Sequence, residues 1–205
     1  MDMTFYISAF VALFVIIDPI GLAPVFLALT QGHSDAERRA IGRRSLLLAL
    51  ALLTVFGLLG EAVLNFIGIS MPAFRIAGGI LLFLTALDML FERRTARRDH
   101  QAEEERPDPS VFPLAIPLLS GPGAITTMIL LVGQSDGAVQ AGGVFVVMAL
   151  VLAVVAFMFR MAGPLERLLG RTGTVVATRL LGMLLAALSV QFVLDGLRGA
   201  ALLPA

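Results

Sequence analysis

Between Phe5 and Leu197 the sequence returns six times to an apolar run long enough to cross a bilayer: Phe5–Thr30, Ser45–Leu64, Met71–Phe91, Val111–Val132, Gly142–Ala162 and Val175–Leu197. A hydrocarbon core of about 30 Å takes about 20 apolar residues in helical form. Inside it, backbone N–H and C=O groups must be paired by the segment itself or by neighbouring protein. An all-α polytopic membrane protein is therefore the expected fold class. A mean hydropathy of +0.93 agrees. The polar remainder is a loop "QGHSDAERRAIGRR", a central linker "ERRTARRDHQAEEERPDPS" and a connection "GPLERLLGRTG", too little for an extramembrane domain. The first run is expected to be a span and not a signal peptide, because residues 1–4 carry no Lys or Arg and the run exceeds a typical h-region.

All 15 basic residues are arginine and 15 acids balance them, so net charge gives no reason to expect a nucleic-acid partner. Their distribution is informative. Arg38, Arg39, Arg43 and Arg44 follow span one; Arg93, Arg94, Arg97, Arg98 and Arg106 follow span three; Arg160, Arg167 and Arg171 flank the turn after span five. These sets fall on one side of a six-span chain, which the positive-inside rule makes cytoplasmic, with both termini outward. The absence of cysteine removes thiol and disulfide chemistry. His33 and His100 both lie in polar segments, and no Ser-His pair, metal-ligand set or second intramembrane acid accompanies Asp18, so an enzyme is not expected.

The sequence also repeats. "DPIGLAPVFLALTQ" laid over "GPGAITTMILLVGQ" pairs Pro19 with Pro122 and Gln31 with Gln134, 103 positions apart; "RIAGGILL" over "RLLGMLLA" pairs Arg75 with Arg179 and Gly78 with Gly182, 104 apart. The expected organisation is a first three-helix repeat over 1–95, a charged cytoplasmic linker over 96–109 and a second repeat over 110–205, within one membrane domain. Three spans per half turn the second copy upside down, giving a 3+3 inverted-topology repeat with interrupted helices one and four.

The interruptions are the polar exception in the apolar runs. Proline inside a helix removes a hydrogen bond and clashes with the preceding turn, yet "DPIGLAP" and "PLLSGPGA" put such a break at matching positions of the two halves. Asp18 before Pro19, and Gly121 before Pro122 with Ser120 upstream, read as helix starts with proline in the first turn. Such ends carry about half a positive charge and free N–H donors, while the carbonyl end of the preceding half-helix can hold a cation. Paired breaks of this kind point to a transporter's midplane site. The halves differ in one respect, Asp18 standing opposite Gly121. A zwitterion suits that asymmetry, its ammonium at Asp18 and its carboxylate at the Gly121–Ala124 amides. The candidate substrate-binding residues are Asp18, Pro19, Ile20, Gly21, Ser120, Gly121, Pro122, Gly123, Ala124, Thr126 and Thr127, with Asp18 also the candidate for ion coupling. Asp18 has a second reading as a simple cap, and Thr126 and Thr127 as hydroxyls bonded back to their own helix. Arg75 and Arg179 read as interfacial anchors, and Gly78, Gly79, Gly182, Ala186 and Ala187 as helix-packing surface.

At "IIDPIGLAP" together with "PLLSGPGAITT" the chain resembles the MarC family of six-span bacterial inner-membrane proteins, also called the neutral amino acid transporter family, over essentially its whole length. The resemblance implies a multi-pass protein of the bacterial inner membrane that transports small neutral amino acids such as alanine or glycine, driven by a cation gradient. The expected partners are a small-molecule substrate and the lipid bilayer, with self-association left open. No cofactor is expected beyond a coupling Na+ or H+, and no metal. Two other readings compete: an exporter of drug-like or other small metabolites, which needs a wide apolar cavity and has little use for Asp18, and a membrane scaffold, which gives no reason for two helix breaks.

Overall fold

The computed structural model describes residues 3–91 and 108–202. The linker expected over 96–109, with Arg97, Arg98 and Arg106, lies outside the described residues except for Asp108 and Pro109; Arg93 and Arg94 lie outside them too. Every regular element among the described residues is a helix: α1 (Met3–Ile17), α2 (Pro19–Leu29), α3 (Asp35–Phe66), α4 (Met71–Leu90), α5 (Ser110–Leu119), α6 (Pro122–Gly133), α7 (Ala138–Arg160) and α8 (Ala162–Gly199). Of these α5 is a wider, π-type segment whose Phe112 and Ile116 are extended, each preceding a cis proline. The stretch Met3–Leu29 and helices α3, α4, α7 and α8 are each long and apolar enough to cross a membrane. The pair α5 and α6, bent by 54°, is a sixth if taken as one span.

Two polar segments prove more helical than expected. The "loop" before span two is mostly the start of α3, because Ser34 and Glu37 form a reciprocal cap. Ser34 N–H donates to Glu37 Oε2 at 2.8 Å, and Glu37 N–H donates to Ser34 Oγ at 3.3 Å. Arg38, Arg39, Arg43 and Arg44 therefore project from the first turns of a helix. The "GPLERLLGRTG" connection is likewise the beginning of α8, interrupted only at Gly170, whose φ of 61° is the left-handed conformation that glycine adopts without steric cost.

The two elements that carry the breaks lie at the centre. In the most apolar window of Met3–Leu29, 67% of residues are buried, against 22–39% for α3, α4, α7 and α8. In α6 every residue from Thr126 to Leu131 is buried. The four long helices wrap this pair and turn Leu47, Leu58, Phe66, Val146 and Leu180 outward, as suits a hydrocarbon exterior. Between lipid-bathed helices the apolar effect gives little drive, so close packing must hold them. It does so most extensively between α4 and α8. A Cβ on Gly79 would lie 2.8 Å from the Ser189 carbonyl oxygen, one on Gly196 3.0 Å from that of Pro72, and one on Gly182 2.9 Å from Met89 Cβ. The seam is antiparallel along its length and bears out the packing role read for Gly79 and Gly182. Gly78 instead faces α6.

Candidate functional site

Asp18 is the junction of α1 and α2 and is fully buried. Its N–H still donates to Phe14 O at 2.9 Å and its carbonyl accepts from Leu22 N at 3.0 Å, so both backbone groups of Asp18 keep helical partners at the break. The conformation is left-handed, φ 58° and ψ 65°. An N-cap ordinarily sits in the extended region; Asp18 differs because it also ends α1, where a left-handed residue is the usual stop. Aspartate tolerates that geometry better than most side chains. Pro19 takes the first helical position and disfavours the α conformation at residue 18. Asp18 Oδ1 accepts the Gly21 N–H at 3.0 Å, as the sequence predicts of a cap. Its other oxygen, Oδ2, faces the Thr178 hydroxyl of α8 at 3.5 Å. Pro19 and Gly21 are buried and Ile20 half-buried.

The second break is built differently. Gly121 precedes α6 at φ −70°, ψ 168°, and no side chain caps the helix. A Cβ on Gly121 would lie 2.5 Å from the Pro117 carbonyl oxygen, so the turn out of α5 leaves no room for a side chain. Ser120 is buried, and its Oγ has no hydrogen-bond partner among the described residues. Gly123 and Ala124 are buried in the first turn, while Pro122 is exposed. Thr127 Oγ1 donates to the Gly123 carbonyl at 2.8 Å, the back-bonded alternative, and the Thr126 methyl packs on Gly78.

The start of α6 packs against α1. A Cβ on Gly123 would lie 2.7 Å from Ile16 Cδ1, so the bare start of α6 lies against the last turn of α1, just before Asp18. Half-helices α2 and α6, of 11 and 12 residues, are each about 17 Å long, roughly half a bilayer core. A buried carboxyl group thus follows the turn of α1 against which the uncapped N-terminus of α6 packs; the Thr178 hydroxyl stands 3.5 Å from that carboxyl, and the buried Ser120 hydroxyl belongs to the second break. Such a pair offers opposite electrostatic character to the two ends of a small dipolar solute. Among the described residues, no cluster of His, Cys, Asp or Glu could hold a metal ion.

Thr178 was not legible as a site residue, since only the fold brings it to Asp18 from 160 positions away. Arg179, beside it, is exposed. Arg75 is half-buried and its Nε has no partner among the described residues, which an interfacial anchor does not require.

Over residues 3–201 the chain matches the family described as MarC family integral membrane protein. It belongs to the MarC family. Among MarC relatives, a UPF0056 membrane protein of Archaeoglobus fulgidus is 41% identical over 198 residues, covering 95% of this chain and 93% of its own. UPF0056 membrane protein YhcE of Escherichia coli is 35% identical over 202 residues, covering 97% and 94%. YvbG of Bacillus subtilis, of the same description, is 34% identical over 204, covering 97% of each. Like them, the chain is an integral, multi-pass membrane protein. No solved structure matches it.

Proposed function

We propose that this MarC protein is a secondary transporter of small neutral amino acids such as alanine or glycine, moved as zwitterions by alternating access and driven by a Na+ or H+ gradient. The observation that carries the reading is that the uncapped start of α6 packs on the last turn of α1, the helix that ends at the buried Asp18. The substrate ammonium binds at Asp18, which as a carboxylate accepts about four hydrogen bonds. The substrate carboxylate takes the Gly123 and Ala124 N–H groups and the Ser120 hydroxyl, where the helix end contributes about half a positive charge. Thr178 and the carbonyl end of α1 serve the coupling ion.

An inverted 3+3 repeat underlies the mechanism, and the pairing of elements supports it. With α1 to α4 taken as copies of α5 to α8, the pairing α2 with α8 has its equivalent in α6 with α4. The pairing α2 with α7 corresponds to α6 with α3, and α1 with α7 to α5 with α3. Six crossings are supported by one further fact. Arg39 and Arg43, at the start of α3, share a cleft with Arg160, at the end of α7. If α3, α4 and α7 each cross once, the bent pair α5–α6 must cross as well for those arginines to meet. The arginine-bearing face is then cytoplasmic by the positive-inside rule, the termini face outward, and the protein lies in the cytoplasmic membrane.

The test is flux of labelled alanine and glycine into liposomes under separate Na+ and H+ gradients, beside Asp18→Asn. Gradient-driven uptake that falls at least about tenfold in the variant is expected. No amino-acid flux under either gradient, or flux indifferent to Asp18, overturns the reading.

A further inference from the structure

Away from the two breaks, α3 and α7 part at their arginine-bearing ends to leave an open cleft of about 960 Å3 on the outer face of the bundle. At the other end α3 closes down, a Cβ on Gly60 reaching 2.4 Å from Ile129 of α6. The walls of the cleft are two graded stripes. On α3, Arg39 and Arg43 stand one turn apart and give way to Leu46 and Leu50; on α7, Arg160 gives way to Ala156, Leu152 and Ala149. From Arg160 to Ala149 is about 16 Å of helix, close to the depth of one leaflet of a 30 Å core. The inner wall is the stacked pair Phe26 and Phe159, ring centroids 4.1 Å apart.

The charge is one-sided. Four arginines, Arg38, Arg39, Arg43 and Arg160, line the cleft against one acid, Asp35. Among the described residues Arg39, Arg43 and Arg160 have no ion-pair partner, and Arg38 has one buried Nε unsatisfied while its NH2 reaches the Thr30 carbonyl at 3.5 Å. The small side chains of Ala149 and Ala156 open the space that Leu50 and Leu46 face. A free anion would use the arginines but not the apolar walls, and a neutral lipid the walls but not the arginines. A groove with guanidinium groups at its mouth and leaflet-deep apolar sides fits an amphiphile with an anionic head.

We propose that this cleft is a binding site for an anionic phospholipid, its phosphate held by Arg39, Arg43 and Arg160 and one acyl chain lying between α3 and α7. The site is independent of whatever solute passes the centre of the protein.

The chain contains no tryptophan, so a single reporter can be introduced. Leu47→Trp puts one on the cleft wall, at a residue 58% exposed, and Val146→Trp puts one on the outward surface of α7 beyond the deep end of the cleft, 69% exposed. Each full-length protein is reconstituted with brominated phosphatidylglycerol or brominated phosphatidylcholine and the quenching compared. Preference for phosphatidylglycerol of about tenfold is expected at Leu47→Trp and near unity at Val146→Trp. The triple change Arg39→Gln, Arg43→Gln, Arg160→Gln is expected to abolish the preference, and the corresponding Lys triple to retain part of it. Ala156→Phe, which fills the wall and keeps every charge, is expected to abolish it too, and millimolar inorganic phosphate to leave it intact. Equal preference at both reporters, or preference that survives the Gln triple or Ala156→Phe, overturns the site. Displacement by inorganic phosphate reduces it to an anion site without a lipid. If the Gln triple does not fold, Ala156→Phe and the Lys triple still decide.

Discussion

At Asp18 one side chain stops one helix, starts the next and buries a carboxylate, and the roles separate by substitution. Asp18→Asn keeps an oxygen for the Gly21 N–H and a residue that tolerates the left-handed conformation, so its thermal stability in detergent should stay within about 0.5 kcal/mol of the parent. Asp18→Ala loses the cap and gains the left-handed penalty, for a loss of about 2 kcal/mol. A loss in the Asn variant equal to that in Ala would mean that the charge itself holds the junction. The counterpart, Gly121, admits no such exchange. With a Cβ 2.5 Å from the Pro117 oxygen, Gly121→Ala should cost about 1–3 kcal/mol by displacing the α5–α6 turn, read from the same melts. The asymmetry between the two breaks therefore has a steric cause, because the acid can occupy only the first of them.

Among the elements, the α4–α8 seam gives the sharpest contrast. Gly79→Val would drive a side chain into the Ser189 carbonyl oxygen and Val193, separating the two helices at a cost of about 1–3 kcal/mol or more. Gly163, also helical but facing open space, should accept Ala with no loss, or a gain of up to about 1 kcal/mol from helix propensity. Midpoints of thermal unfolding in one detergent check both; a stable Gly79→Val protein would refute the seam. The start of α5 adds a pH dependence. The Ser110 hydroxyl and N–H both donate to Asp108 Oδ1, at 2.6 and 3.0 Å, and hold that carboxyl below the usual carboxylate range. Because the folded value is the lower one, its stabilisation is present at neutral pH and lost as pH falls through that value. The difference in melting midpoint between the parent and Asp108→Asn should narrow on acidification. These elements also mark how far the sequence could be read. The apolar runs located the five stretches long enough to cross a membrane and the bent pair α5–α6, since hydrocarbon length sets their size, and proline and its preceding residue located both breaks. The first ten residues of α3 looked like a loop because arginines on a helix start resemble arginines in a loop, and only the Ser34–Glu37 cap distinguishes them. The π-type course of α5 and the approach of Thr178 to Asp18 depend on tertiary packing, which no local pattern encodes.

For the whole molecule the question is whether α5 and α6 cross the membrane or return to the side they left. A return would leave five crossings and carry the end of α7, with Arg160, to the face opposite Arg39 and Arg43, which their common cleft opposes. A crossing makes the second half an inverted copy, with Gln31 after α2 and Asp136 after α6 emerging on opposite faces. Both residues are exposed and the chain has no cysteine, so Gln31→Cys and Asp136→Cys each present a single thiol on an otherwise inert background. In intact cells a membrane-impermeant maleimide should label Asp136→Cys at once and Gln31→Cys only after permeabilisation, the outcome expected if the positive-inside rule orients the arginine-rich face inward. Labelling of both from the same side would make α5–α6 a re-entrant loop. The uncapped start of α6 would then reach Asp18 from the same side as α2, and without two half-helices entering from opposite faces the site would lose the symmetry that alternating access requires.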